Sequence, residues 1–204
     1  VGLGERGDAA HARAAISAVA KYNYVPDLGK WFNPLRAYGL AGESGLVMAS
    51  WPRGFHQNPF PYYSEVMTGF EYVAASELYY QGMDELALRT VRDVRARFDG
   101  AKRNPFSEPE AGHHYARSMA SWSAVPALSG FHYSGVDKSM EITSAEGRWF
   151  WSNGSAWGVV VNAGGRATIE VMEGSLELRT FTSGERTYRK NVRLLAGESF
   201  TFGV

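Results

Sequence analysis

The chain contains no cysteine, no surplus of either charge and no long apolar run, and each absence closes a class of function. Without thiols there is no disulfide framework, no thiolate nucleophile and no cysteine zinc site. Lys+Arg and Asp+Glu tie at 21 each in 204 residues, giving a formal net charge of zero. A nucleic-acid partner is not expected, because binding the phosphate backbone needs a surplus of cations. A polybasic membrane anchor is excluded on the same ground. No apolar run reaches the ~20 residues of a bilayer span, so no membrane span is expected. With no thiols and no recognisable signal segment, the expected location is cytoplasmic. The chain starts at Val1 and its first methionine is Met48, so a processed product or a fragment of something longer is expected.

What the sequence does have is apolar and aromatic material. Apolar residues make up 45%, enough for a real core, and aromatics 14%, with six Trp and eleven Tyr. Tyr and Trp join a flat apolar face to a polar edge. That chemistry suits carbohydrate, and it also suits a core.

The pattern changes near Gly135. Before it, apolar residues recur at helical spacing; after it, they alternate or run in short blocks. Asp8 is a good N-cap for a helix over about Ala9 to Lys21, with Ala12, Ile16 and Val19 as its stripe. Residues 25–62 carry too many Pro and Gly for a long element, yet hold Trp31, Phe32, Tyr38, Trp51, Phe55, Phe60, Tyr62 and Tyr63. This reads as a functional loop. Ser64 can cap a second helix to about Gln81, stopped by Gly82. A third runs from about Asp84 to Phe98, with Leu88, Val91, Val94 and Phe98 on its apolar face. Glu85–Arg89 and Asp93–Arg97 are read as ion pairs on its wet side. A fourth spans about His113 to Ser129, interrupted by Pro126. Seven strands are expected near 139–143, 148–151, 156–162, 167–172, 176–182, 192–195 and 199–202, with Gly164-Gly165 as a hairpin turn. The domain reading is a helical segment, 1–135, and a small antiparallel β region, 136–204.

Chemistry is sparse. The five histidines, His11, His56, His113, His114 and His132, include no HExxH arrangement. His113 and His114, being adjacent, cannot easily face one ion on a helix. No GxSxG elbow supports a serine nucleophile. No metal and no cofactor are expected. Carboxylates are the better lead. Glu65, Thr68 and Tyr72 share a face at i, i+3 and i+7, with Glu71 beside it. They could offer acceptors to sugar hydroxyls, or form an acid-rich first turn that complements the helix dipole. Glu108, Glu110 and Arg117 form a second group. The Arg fork suits paired hydroxyls, and the same residues could equally form a structural ion pair.

Two pairs of strings carry a resemblance. Gly45-Leu46-Val47-Met48-Ala49-Ser50-Trp51-Pro52-Arg53-Gly54 is followed by Pro61-Tyr62-Tyr63-Ser64-Glu65-Val66-Met67-Thr68-Gly69-Phe70-Glu71-Tyr72. Arg103-Asn104-Pro105-Phe106 precedes Glu110-Ala111-Gly112-His113-His114-Tyr115-Ala116-Arg117-Ser118-Met119-Ala120-Ser121-Trp122. Together they resemble the C-terminal part of glycoside hydrolase family 116, which includes β-glucosidases and the non-lysosomal glucosylceramidase. The resemblance covers most of residues 10–135 and, more loosely, the β tail. It implies a mainly α chain with a β tail: about four helices of an incomplete (α/α)6 barrel, then a small antiparallel β region. It also implies retaining cleavage of β-glucosides, with both catalytic carboxyls upstream of the matched stretch, so no catalytic residue is assigned here. Substrate-binding residues carried over are Glu110 on glucose hydroxyls, Arg117 as its guanidinium partner, and Glu65 and Thr68 with the aromatic loop as the pocket rim. Family members often have Trp where Met67 stands.

Three functions compete. The chain supplies the sugar-holding edge of a β-glycosidase completed by an N-terminal remainder or a partner chain; or it is a non-catalytic carbohydrate-binding product; or it packs on a partner.

Overall fold

The computed structural model describes residues 7–33, 38–54, 57–106 and 117–203. The backbone divides into two compact units, Glu5–Ala124 and Val125–Val204.

In the first unit, helix α1 (Ala9–Tyr22) starts as its sequence dictates: the Asp8 side chain accepts the His11 N–H at 2.9 Å. It buries Ile16 and Ala20. Two short strands, β1 (Tyr24–Val25) and β2 (Gly45–Leu46), pair antiparallel across the loop region. Helices α2 (Thr68–Tyr80) and α3 (Asp84–Arg97) form a hairpin. Gly82 at its joint has φ 69°, and the N–H of Met83 reaches back to the Leu78 carbonyl at 2.8 Å. That left-handed cap satisfies carbonyls the helix end would otherwise strand.

α2 begins three residues later than the expected start. Glu65 and Val66 are extended, because the Met48 N–H donates to the Glu65 carbonyl at 3.0 Å and Val66 bridges Val47. Glu65 therefore lies on no helix face, and Ser64 does not cap α2. α3 also presents a different stripe. Ala87, Thr90, Val94 and Arg97 are buried, while Leu88 is exposed. Arg97 turns inward instead of pairing along the wet side, and the Arg89 guanidinium lies 3.8 Å from the Tyr24 ring centroid.

The division between the units falls at the start of a short helix, α4 (Ala124–Ser129), preceded by a 3-10 turn over Arg117–Ser123. Pro126 sits in the first turn of α4, where no intrahelical donor is needed. The described part of the expected fourth helix is thus tight turns and a six-residue helix.

The second unit is built on a seven-stranded curled sheet: β3 (His132–Ser134), β4 (Ser139–Ile142), β5 (Gly147–Ser152), β6 (Ala156–Ala163), β7 (Arg166–Ser183), β8 (Arg186–Leu195) and β9 (Ser199–Phe202). β7 is its spine. Its first half pairs with β6 and β9, its second half with β4 and β8. Two expected strands are therefore one, bent at Gly174 (φ 84°). The inward set shifts parity along it, from Ala167, Ile169 and Val171 to Leu176 and Leu178, then to Phe181. Each shift coincides with a register irregularity, since one extra residue flips a strand's faces. At the second, the N–H groups of Arg179 and Thr180 both reach the Lys138 carbonyl. All these side chains enter one core with Met140, Trp151, Val160 and Phe202.

The expected fold class is overturned. The strands hold more residues than the α-helices, of which the described residues contain four, and one is a single short segment. The described residues are mostly β, and no (α/α)6 barrel segment is formed among them. The β region is neither small nor purely antiparallel, because β4 runs parallel to β7. The helical estimate failed where irregular backbone replaced helix, and the β estimate failed where ladders on both flanks carried β7 through Gly174. Among the described residues, no helix is long and apolar enough to cross a membrane.

Candidate functional site

The segment from Tyr63 to Thr68 lies against the aromatic loop of the first unit. Ala49 N–H donates to the Tyr63 carbonyl at 2.8 Å, continuing the pairing at Met48. Glu65 is fully buried, at 0% exposure, and one carboxylate oxygen faces the Tyr38 N–H at 3.4 Å. Thr68 is buried at the first position of α2. Arg117 packs on the same helix start. Its side chain runs beside Gly69, where a Cβ would meet Arg117 Cδ at 3.4 Å, and its guanidinium lies 5.4 Å from the Phe70 ring centroid. Three expected site residues thus gather around the start of α2. The fourth, Glu110, lies outside the described residues, as do Glu108, His113 and His114.

Beside this segment an open cleft of about 520 Å³ is lined by Leu28, Gly29, Trp31, Phe32 and Asn33, with Lys30, Leu40 and Ala41 at its edge. Phe32 is 77% exposed. Asn33 connects the cleft to the expected rim: its amide donates to the Ser64 carbonyl at 3.2 Å. Gly29 is required here, since a Cβ would lie 2.7 Å from that of Ala41. The turn is pinned by Asp27, which accepts the N–H groups of Gly42 and Gly29, each at 2.9 Å. Those bonds, Gly42's first, hold the Asp27 carboxyl below its ordinary range. A second aromatic group sits nearby in sequence. Trp51 lies 5.2 Å from the Tyr63 ring and 6.3 Å from Phe60. Its backbone is held at φ 45°, a conformation that costs a bulky residue energy and persists only where neighbours enforce it. Aromatic faces with an adjacent amide and ammonium can stack on a sugar ring and hydrogen-bond its hydroxyls.

Met67 does not line this cleft. It is buried with Val25, Leu28, Tyr38, Val47 and Val66 in a small core. The position where family members often carry Trp is therefore a packing position.

The strongest electrostatic feature of the unit was invisible in the sequence. Arg97, 1% exposed, pairs with Glu71 across the α2–α3 hairpin and also donates to the Ser44 carbonyl. The Leu46 N–H donates to Glu71 at 2.9 Å. Burial pushes the Glu71 carboxyl up, against the pull of the Arg97 guanidinium and the Leu46 N–H. Gly45 lets β2 come this close, since a Cβ there would lie 2.5 Å from the Arg97 guanidinium. The pair clamps the loop at Ser44–Leu46 onto the hairpin. Among the described residues, no group of three His, Asp or Glu could hold a metal ion.

No protein-family model matches the chain. No curated protein matches it either. Among solved structures, it is similar to a chain described as "Putative kojibiose phosphorylase from human microbiome", with a TM-score of 0.39 and 10% identity. The likeness covers 65% of this chain, which spans 17% of that one. A similarity of that degree establishes neither a shared fold nor a shared activity. The resemblance to glycoside hydrolase family 116 rests on the sequence strings alone.

Proposed function

We propose that the first unit is the sugar-holding edge of a retaining β-glycosidase acting on β-glucosides or glucosylceramide-like substrates. Its catalytic carboxyls would be supplied by an N-terminal remainder or a partner chain. The observation that carries this reading is the open cleft walled by Trp31 and Phe32, tied through Asn33 to the Ser64–Thr68 segment. Glu110 and Arg117 hold hydroxyls. Glu65, fully buried, positions the rim through Tyr38, and Thr68 fixes the adjoining helix start. A pocket needs few polar groups if each is fixed in place.

The test is binding of glucose or a glucose-like imino sugar, read by tryptophan fluorescence and calorimetry. Glu110→Gln should weaken binding by ~1–3 kcal/mol, because a charged acceptor is lost. Arg117→Lys should weaken it nearly as much as Arg117→Ala if the planar fork is used bidentately. Full affinity in Glu110→Gln removes Glu110 from the site, and rescue by lysine reduces Arg117 to a point charge.

A second reading, packing on a partner, is favoured by one feature. Phe70 and Val73 on α2, and Met119 and Trp122 on the 3-10 turn, are exposed, the last two at 70% each. Apolar exposure of this kind marks interaction surfaces. Concentration-dependent self-association, lost in Trp122→Ser, would support it over sugar binding.

A further inference from the structure

β5 is an edge strand: among the described residues it pairs with β6 alone. One bond sets the phase of that ladder. The Asn153 N–H donates to the Ala156 carbonyl at 3.1 Å, so these two residues form a bonded pair in the same register. Bonded and non-bonded pairs alternate along an antiparallel ladder. Trp151, Trp149 and Gly147 therefore turn their N–H and C=O groups toward β6, opposite Gly158, Val160 and Asn162. Arg148, Phe150 and Ser152 turn theirs to the free edge. All three are exposed. Their side chains share the outer face, since Trp151 is buried on the inner one.

The other edges of the sheet are guarded, and this one is not. β3 has three residues and β9 four. β8 carries Arg186, Arg189, Lys190 and Arg193, all exposed. Short length and exposed cations keep a sheet edge from pairing with another chain. β5 has six residues, no proline and one charge, Arg148, whose guanidinium already donates to Glu170 at 3.0 Å. On the same face Phe150 and Trp157 are 40% and 42% exposed, their ring centroids 6.4 Å apart. The edge also complements itself. Two copies related by a two-fold axis at Phe150 align antiparallel, with Arg148 opposite Ser152 of the second copy and Phe150 opposite its own counterpart. In that register the outward N–H and C=O of all three residues find partners. The two exposed aromatic pairs become continuous across the axis, a favourable cross-strand arrangement. The register that sets Arg148 opposite itself would join like charges. It would also leave Phe150 and Ser152 facing Glu146 and Ser144, outside the strand.

We propose that the free edge of β5 binds a second copy of this chain, the two β units joining by antiparallel pairing of β5 with β5 about a two-fold axis at Phe150. The surface lies within the β unit and does not depend on the function assigned to the helical unit.

The experiment is sedimentation equilibrium of the full chain from about 1 to about 200 µM, with amide hydrogen exchange at both ends of that range. The expected result is a reversible monomer–dimer equilibrium with a micromolar Kd. The Arg148, Phe150 and Ser152 amides should exchange freely in the monomer and be protected in the dimer. Phe150→Pro removes one outward N–H and no bond to β6, and should weaken the dimer about tenfold or more. Phe150→Lys keeps the backbone intact, sets like charges at the axis and should do the same. Ser152→Glu places a carboxylate opposite Arg148 and should tighten the dimer about fivefold, while Ser152→Arg should loosen it by a similar factor. Trp122→Ser should leave this equilibrium unchanged, which separates the β5 edge from the exposed apolar surface of the helical unit. The unfolding midpoint of each variant shows that its β unit is still folded, and either Phe150 variant suffices. A monomer at the highest concentration would overturn the proposal. So would a dimer indifferent to the Phe150 variants or lost in Trp122→Ser, equal effects of the two Ser152 variants, or protection of the three amides already in the monomer, which would mean that another segment or partner covers the edge.

Discussion

The two units solve the problem of holding irregular backbone in different ways. In the β unit, an apolar core of fourteen buried residues runs behind a sheet whose irregularities lie in the ladders that β7 makes with β6 and β8. Its buried polar residues are few: Ser129, Asn162 and Ser183. The helical unit also buries many apolar side chains, six of them in a cluster behind the loop, but its long loop is tied down by buried polar groups, Glu65, Glu71 and Arg97 among them. A sheet satisfies its own backbone and needs only apolar faces to close. Among its described residues, the loop of residues 25–62 has little ladder of its own. Its N–H and C=O groups must find carboxylates, amides and guanidiniums instead. Both units bury apolar side chains; the difference teaches that the second holds its backbone with its own ladders, while the first holds its loop with buried polar pairs that cannot be removed singly.

That contrast can be broken at its strongest point first. Arg97→Ala should leave Glu71 buried without its cation and destabilise the helical unit by ~3–5 kcal/mol. Urea denaturation followed by helical circular dichroism measures it. Replacing both partners, Glu71→Leu with Arg97→Met, should restore much of the loss, since an apolar pair of similar size removes the stranded charge. If Arg97→Ala costs under ~1 kcal/mol, as an ordinary surface pair would, the clamp is not what holds the loop.

The β unit should respond to shape instead. A Cβ on Gly158 would lie 1.9 Å from the Glu170 carbonyl oxygen and 2.9 Å from the Trp151 ring. Gly158→Ala should therefore cost ~1–3 kcal/mol by overpacking, read from the β signal in the same denaturation series. An unchanged midpoint would mean that β6 and β7 can separate there without penalty.

The smallest expected effect is with pH. The backbone N–H groups of Gly42 and Gly29 lower the Asp27 carboxyl, so its folded-state pKa lies below its unfolded value. Its contribution is complete above the unfolded pKa and is lost as pH falls through the folded one. Below the ordinary aspartate range the Gly29 and Gly42 amide resonances should move as the carboxyl protonates. Asp27→Asn should flatten that movement. A titration midpoint at or above the ordinary aspartate value would refute the pinning role.

Much of the β unit was legible. Alternation placed every expected strand within an observed one, apart from a residue or two at the ends, and Gly164-Gly165 was a sound turn signal. The length of β7 was not legible, because Gly174 punctuates a strand and a bend alike. In the helical unit, the Asp8 cap and the Gly82 stop are local signals and were readable. The start of α2 was not, because backbone pairing of residues 65–66 with residues 47–48 is non-local. The expected rim residues Glu65 and Thr68, and Arg117, expected as the partner of Glu110, lie around one helix start. Their roles in binding remain the proposal that sugar titration decides. Trp31, Phe32 and Asn33 were visible as part of an aromatic loop, but no spacing rule joins Asn33 to Ser64.

The sequence by itself determined the elements whose cause is local: the cap of α1, the glycine end of α2, the period-2 strands and the tight hairpins. It also excluded thiol chemistry and a large field of either sign. Only the tertiary structure decided that Arg97 turns inward to Glu71, that β7 crosses Gly174 unbroken and that β4 joins it in parallel. The reason is physical. Capping and strand alternation are set by neighbours a few residues away, whereas partners 26 residues apart, as Glu71 and Arg97 are, meet only after the chain has closed on itself.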